Sequence, residues 1–311
     1  MSNRSIPVVD LSQFTKGDEV ARQAFIAKLG MAFQDIGFVG VTNHGVPKQL
    51  ISDFYKASKA FFGLSVEVKK KYEIPAAAGQ RGYTSFGKEH AKQSEIADLK
   101  EFFQIGQDGE EKHRKNVDVI EIPSFMGLGT SLFQQFEKTG AALLQAIALY
   151  LGLEEDFFDS KIENGNSILR AIHYPPITQE PESAIRAEQH EDINLITLLV
   201  GASAGGLQIL NHKNEWLPVI PEKDEIVINV GDMLQRLTNN YLKSTTHRVV
   251  NPPRKEWHVP RLSIPFFLHP QADMDLSCLP SCVTKDRPLA YEPITAGEYL
   301  DERLREIGLK K

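Results

Sequence analysis

His190 and Asp192 stand two residues apart in Gln189-His190-Glu191-Asp192-Ile193-Asn194, and His247 follows far downstream. Side chains i and i+2 leave the same face of a β-strand, so His190 and Asp192 can grip one ion together. A third ligand from a distant strand completes a face of two imidazoles and one carboxylate. That set, with open positions opposite, suits non-haem Fe(II) that must still bind a co-substrate and dioxygen. A lone His-x-Asp in a chain with nine histidines is a weak signal, and an exposed loop pair also accounts for it. Two further features change the balance. The segment from Tyr241 to Val250 around His247 is rich in β-branched residues and reads as strand. Arg261 and Ser263, in Arg-Leu-Ser-Ile-Pro-Phe-Phe, again share one strand face. An arginine fork binds a carboxylate through two parallel hydrogen bonds, and a neighbouring hydroxyl adds a third.

With these residues in this order and at about this spacing, the chain resembles a bacterial-type member of the isopenicillin N synthase-like branch of the Fe(II)/2-oxoglutarate-dependent oxygenases. The resemblance extends to the N-terminal half. Ile6-Pro-Val-Val-Asp-Leu-Ser12 looks like the family's opening strand, and Gly37-Phe-Val-Gly-Val-Thr-Asn-His-Gly-Val-Pro47 like its turn after the first helix. It implies that His190, Asp192 and His247 hold Fe(II), and that 2-oxoglutarate chelates the iron with its far carboxylate on Arg261 and Ser263. It also points to Tyr174 as a hydroxyl near the co-substrate. Two residues earlier, where plant relatives often carry asparagine, this chain has Ile172. The implied reaction couples decarboxylation of 2-oxoglutarate by dioxygen to hydroxylation, desaturation or cyclisation of a small molecule, with ascorbate as a possible reductant. Because Asp192 is retained, halogenation is disfavoured. Three rivals remain: an oxidase of the isopenicillin N synthase type that uses no 2-oxoglutarate, an ethylene-forming enzyme, and a non-catalytic cupin-like binding module.

The elements that must position these groups are legible in the hydrophobic pattern. Residues 18–36, 48–62 and about 125–152 carry apolar side chains at helical spacing, the first stopped by Gly37. From residue 166 the texture changes to short strands at 167–174, 193–200, 206–210, 215–220, 225–230, 246–250 and 261–268. Residues 38–42 and 98–105 also read as strand. The family resemblance implies an α+β fold, with a double-stranded β-helix (a cupin-like jelly roll) as its core and helices packed outside. Residues 1–120 are expected to form an N-terminal mixed α/β region packed on the core, 121–165 a long linking helix, and 166–311 the jelly roll with a C-terminal helix, all in one compact unit. That last helix, 294–309, has Thr295 placed to cap it with Glu298 three residues on.

Arg81, Tyr83 and Phe86 in an irregular glycine-bearing loop, together with Phe103 and Phe267, are the candidate substrate residues. Their mixed basic and aromatic character suits a small carboxylate-bearing metabolite. His44 is expected to bond locally in its turn, His173 to face away from Tyr174, and His212 to be exposed at a hairpin tip; Asp232 reads equally as a residue supporting the metal ligands from behind or as part of a strand-end turn. Cys278 and Cys282 lack the further ligands a structural zinc needs and read as reduced thiols in a Pro-rich surface loop. A net charge of −6 without a basic tract argues against nucleic acid as a partner. No window approaches the ~18 apolar residues of a membrane span. The N-terminus lacks an apolar signal core, so cytoplasmic residence is expected, as a monomer or weak homodimer.

Overall fold

Alternation along the strands decides how the layers form. In the strand Arg261–Leu268, the side chains of Leu262, Ile264, Phe266 and Leu268 are buried in one apolar cluster. Arg261, Ser263, Pro265 and Phe267 leave the other face and line a cavity. The neighbouring strand Ile168–Tyr174 divides in the same way: Leu169 and Ala171 go to the cluster, and Ile168, Arg170, Ile172 and Tyr174 to the cavity.

The computed structural model describes residues 5–77, 79–89, 96–107, 115–181, 183–222, 224–306 and 309. In chain order the strands are β1 (Val8–Asp10), β2 (Phe38–Thr42), β3 (Gly82–Thr84), β4 (Glu101–Gly106), β5 (Ile168–Tyr174) and β6 (Ala187–His190), followed by β7 (Ile196–Val200), β8 (Leu207–Leu210), β9 (Trp216–Pro218), β10 (Ile226–Val230), β11 (His247–Val249) and β12 (Arg261–Leu268). Eight of them form one sheet in the order β1-β2-β10-β7-β12-β5-β4-β3, and β6-β11-β8-β9 form a second. All pairs are antiparallel except β1 with β2. A second apolar cluster joins Phe102, Ile172 and Val227 of the large sheet to Leu207, Ile209 and Val249 of the small one, so the sheets face each other. This is the jelly roll that the sequence implies. Strands from the N-terminal third occupy both edges of the large sheet, completing it.

The outer face of the large sheet is covered by the helices Glu19–Asp35, Lys48–Phe62 and Ser124–Tyr150, whose ends lie within one or two residues of those read from periodicity. Phe136 on the longest helix stacks on Phe266 of β12 with ring centroids 5.6 Å apart. The C-terminal helix Ala296–Glu306 carries the expected capping box, with Thr295 N–H donating to Glu298 and Glu298 N–H to the Thr295 hydroxyl. Its expected final turn around Ile307 lies outside the described residues.

Three local expectations are corrected. The opening strand ends at Asp10, because that carboxylate accepts Ser12 N–H at 2.9 Å and caps a short helix, Leu11–Thr15. Asp232 starts a helix, Asp232–Leu237, where the pattern reads as a strand-end turn. Cys282 is buried where a surface thiol is expected, although both cysteines are free.

Gly37 ties the helical layer to the strand that carries His247. Its φ of 69° is left-handed, and a Cβ there would lie 2.1 Å from Lys243 O and 2.7 Å from Thr245 Oγ1. Close approach allows Thr245 Oγ1 to donate to Ile36 O at 2.7 Å and Val230 N–H to Gly37 O at 3.0 Å. Gly37→Ala is therefore expected to lower stability by about 2–4 kcal/mol, read as a shifted urea midpoint, with metal binding weakened in the same variant. A midpoint within 0.5 kcal/mol of the parent's, in roughly the range of a neutral surface change, would show that the backbone can yield here.

Candidate metal and co-substrate site

Antiparallel pairing brings the sequence-distant ligands together. His247 of β11 lies directly opposite His190 of β6, with ring centroids 4.4 Å apart. Asp192 follows two residues after His190, just past the end of β6, and its Oδ1 lies 3.9 Å from His190 Nε2 and 3.8 Å from His247 Nε2. One ligand atom from each residue falls within 4.8 Å of the others, the separation one ion can bridge.

The remaining atoms of these side chains are already engaged, which orients the free ones. His190 Nδ1–H donates to Glu188 O at 2.7 Å and His247 Nδ1–H to Thr245 O at 3.1 Å, so each Nε2 keeps its lone pair for a metal. Asp192 Oδ2 accepts from Thr197 Oγ1 at 2.6 Å and Asn229 Nδ2 at 2.8 Å, leaving Oδ1 toward the imidazoles. Burial would raise the Asp192 carboxyl, but His247, His190, Asn229 and Thr197 outweigh it and hold it below the usual range. Burial, and then the neighbouring His247, push His190 down, favouring the neutral ligand form. The donor set and its orientation fit Fe(II).

The same cavity, of about 700 Å³, contains Arg261, Ser263 and Tyr174. Arg261 pairs across strands with Tyr174, and its guanidinium carbon lies 4.9 Å from the tyrosine ring centroid. Arg261 is 2% exposed, donates to Ala204 O at 3.1 Å and to Ser263 Oγ at 3.2 Å, and has no carboxylate partner among the described residues. A buried guanidinium without a counter-ion fits the far end of a dicarboxylate.

Of the substrate residues expected from sequence, Phe267 lines this cavity. Phe103 faces the opposite way, into the helical layer against Phe61 and Phe125, because its β4 neighbours Phe102 and Gln104 take the inner face. Tyr83 is likewise in that layer and donates to Glu101. Arg81 is buried against Gly106 and Phe86 is exposed; neither lines the cavity. His44 bonds within its turn to Val46 N–H at 3.2 Å, His173 turns to Glu101 at 2.7 Å, and His212 is exposed, as read from sequence.

Sequence reasoning misses a buried charged network on the cavity wall. Lys100 lies 2.6 Å from Glu89 and 2.7 Å from Asp98; Arg170 donates to Glu89 at 3.1 Å and to Gln104 at 2.8 Å. The Arg170 guanidinium also lies over Phe102 at 4.1 Å and Phe267 at 5.2 Å. Burial opposes a charged Glu89, yet Arg170 and Lys100 prevail and lower it to about 2. His269 continues the inner row of β12; burial pushes it down to about 4, and its Nδ1 lacks a partner among the described residues. These residues come from separate segments with no shared motif, so only the inward alternation on β4 and β5 hints at Gln104 and Arg170.

Comparison with known proteins agrees with this geometry. Residues 6–125 match the model of the N-terminal region of non-haem dioxygenases in morphine synthesis, and residues 165–270 match the 2OG-Fe(II) oxygenase superfamily. The chain is 32% identical to 2-oxoglutarate-dependent dioxygenase htyE of Aspergillus rugulosus, over 95% of this chain and 97% of that protein. It is 43% identical to a 2OG-Fe(II) oxygenase family protein of Caulobacter crescentus, with TM-score 0.87, covering 98% of this chain and 99% of the other. A full-length Neurospora crassa protein, solved in complex with alpha-KG (2-oxoglutarate) and thymine, shares 30% identity with TM-score 0.87, covering 98% of this chain and 97% of the other.

Thr197 and Asn229 hold Asp192 Oδ2 and leave Oδ1 toward the two imidazoles. Thr197→Val and Asn229→Leu, separately, are expected to weaken Co(II) or Fe(II) binding by roughly 10–100-fold while the far-ultraviolet circular dichroism stays unchanged. Parent-like metal affinity in both variants would remove that positioning role.

Proposed function

Because the chain belongs to the 2OG-Fe(II) oxygenase superfamily and is an Fe(II)/2-oxoglutarate-dependent dioxygenase, we propose that His190, Asp192 and His247 hold its iron. In the same reading, Arg261, Ser263 and Tyr174 hold the far carboxylate of 2-oxoglutarate. The overall reaction is 2-oxoglutarate + O2 + R–H giving succinate + CO2 + R–OH, with R–H a small polar molecule. The bound iron supplies activation of dioxygen. The chain's own residues fix the ligand atoms, orient the co-substrate and shield the reacting centre, with Phe38 edge-on to His247 at 5.5 Å. The observation that carries the reading is the meeting, in one cavity, of the convergent triad and Arg261, which has no carboxylate partner among the described residues.

The cavity also refines the substrate class. Two cavity-lining cations are already closed: Lys100 by Glu89 and Asp98, and Arg170, which lies 5.2 Å from the Phe267 ring centroid, by Glu89. A substrate carboxylate would have to displace those partners, so an uncharged polar molecule is favoured over the carboxylate suggested by sequence. Thymine, the ligand in the Neurospora crassa structure, has that character. A succinate-release screen of nucleobases against amino acids tests this point, and turnover of a carboxylate alone would overturn it. Cytoplasmic residence as one unit, monomeric or weakly dimeric, completes the proposal. Among the described residues no helix is long and apolar enough to cross a membrane.

Without air, Fe(II) and 2-oxoglutarate together are expected to give a weak visible absorption band, and His247→Ala to abolish both the band and turnover. Arg261→Lys keeps charge but loses the planar fork. It is expected to raise the 2-oxoglutarate requirement tens- to thousands-fold, about 2–5 kcal/mol, with metal affinity nearly unchanged. If only the requirement for the main substrate rose, Arg261 would be holding that substrate, as in the oxidases.

A further inference from the structure

Arg186, immediately before β6, is 1% exposed, which places it among the most deeply buried large side chains of the protein. Its terminal nitrogen donates to Val259 O at 2.9 Å, while its Nε has no partner among the described residues. No described carboxylate pairs with it. A desolvated cation in this state costs several kcal/mol, and an apolar side chain of similar volume would pack without that penalty. Packing alone is therefore a poor reason for an arginine here.

Its surroundings supply another reason. The Arg186 guanidinium carbon lies 6.0 Å from the Tyr174 ring centroid, and that of Arg261 lies 4.9 Å from the same ring. Two buried cations thus share one tyrosine, and neither meets a carboxylate of the described chain. Burial, and then Arg261 itself, disfavour the charge on Arg186. Tyr174 and Arg261 both line the cavity, whereas Arg186 stands behind them. A negative charge arriving at Arg261 would relieve both guanidiniums at once.

We propose that Arg186 is a positioning residue of the co-substrate clamp, a second cation behind Tyr174 that makes the site select 2-oxo acids bearing a far carboxylate. The inference rests on the reading of Arg261 and Ser263 as that clamp. Arg186 touches neither co-substrate nor metal; it acts through Tyr174 and through its field on the incoming anion.

The test is anaerobic titration of the Co(II)-loaded protein with 2-oxoglutarate and with 2-oxopentanoate, which has the same chain length and no far carboxylate. Arg186→Gln and Arg186→Met are expected to weaken 2-oxoglutarate binding roughly tenfold, leave 2-oxopentanoate within about twofold, and keep metal affinity. Arg186→Lys should recover most of the loss. Thermal midpoints of the neutral variants should hold or rise, because an unpaired buried charge is gone. Equal weakening of both ligands, or equal losses in the Lys and Gln variants, would reduce Arg186 to a packing role. Arg261→Gln separates the two readings. Loss of 2-oxoglutarate affinity there but not in Arg186→Gln overturns this inference alone; retention in both overturns the clamp.

Discussion

Everything at the site depends on the antiparallel register that sets His190 opposite His247. Side-chain alternation has a period of two, so a slip of one residue between β6 and β11 would turn one imidazole away and leave no shared ligand position. The register is enforced from outside the pair. On its other side β11 pairs with β8, placing His247 beside Ile209, which is fully buried between the sheets. Gly37 meanwhile lets the backbone at 243–245 pack against the end of the first long helix. The candidate metal site thus inherits its geometry from apolar packing several residues away, which is more rigid than any loop could supply.

The large sheet does two jobs by the same alternation. Its outward side chains make a conventional apolar contact with helices, as Phe266 does with Phe133 and Phe136. Its inward side chains are polar: Thr197 and Asn229 bond the Asp192 carboxylate, and Arg261 donates to Ser263. Polar groups in such a setting must be satisfied, and most are bonded to one another. The stability lost by burying polar atoms on the inner face is offset by the helix-covered outer face. A strand that is polar on one side can therefore still lie in the middle of the fold.

How far the sequence reveals this follows from the range of each signal. Helices such as Lys48–Phe62 are legible because their apolar stripe is local and periodic. Strand β6 is not, since Ala-Glu-Gln-His has little intrinsic preference for strand and is held by pairing with β11. The ligand triad stands out because its chemistry is unusual even without a fold. Phe103 is misplaced for a reason of parity: the pattern marks a strand but does not say which of Phe102 and Phe103 faces the cavity. The network of Glu89, Asp98, Lys100 and Arg170 is invisible for a related reason. Each charge alone looks like a solvated surface group, and only the β4–β5 register and the loops beside it gather them in one wall.

Electrostatics then distinguish two kinds of cation around the cavity. Lys100 and Arg170 lie against the carboxylates of Glu89 and Asp98, so they present hydrogen-bonding capacity but little net charge. Arg261 and the buried Arg186 have none among the described residues, and their charge stays uncompensated until an anion enters. An anionic group entering this space gains most beside these two uncompensated guanidiniums. Which cations around the cavity stay open to an anion thus follows from which have carboxylate partners among the described residues and which do not.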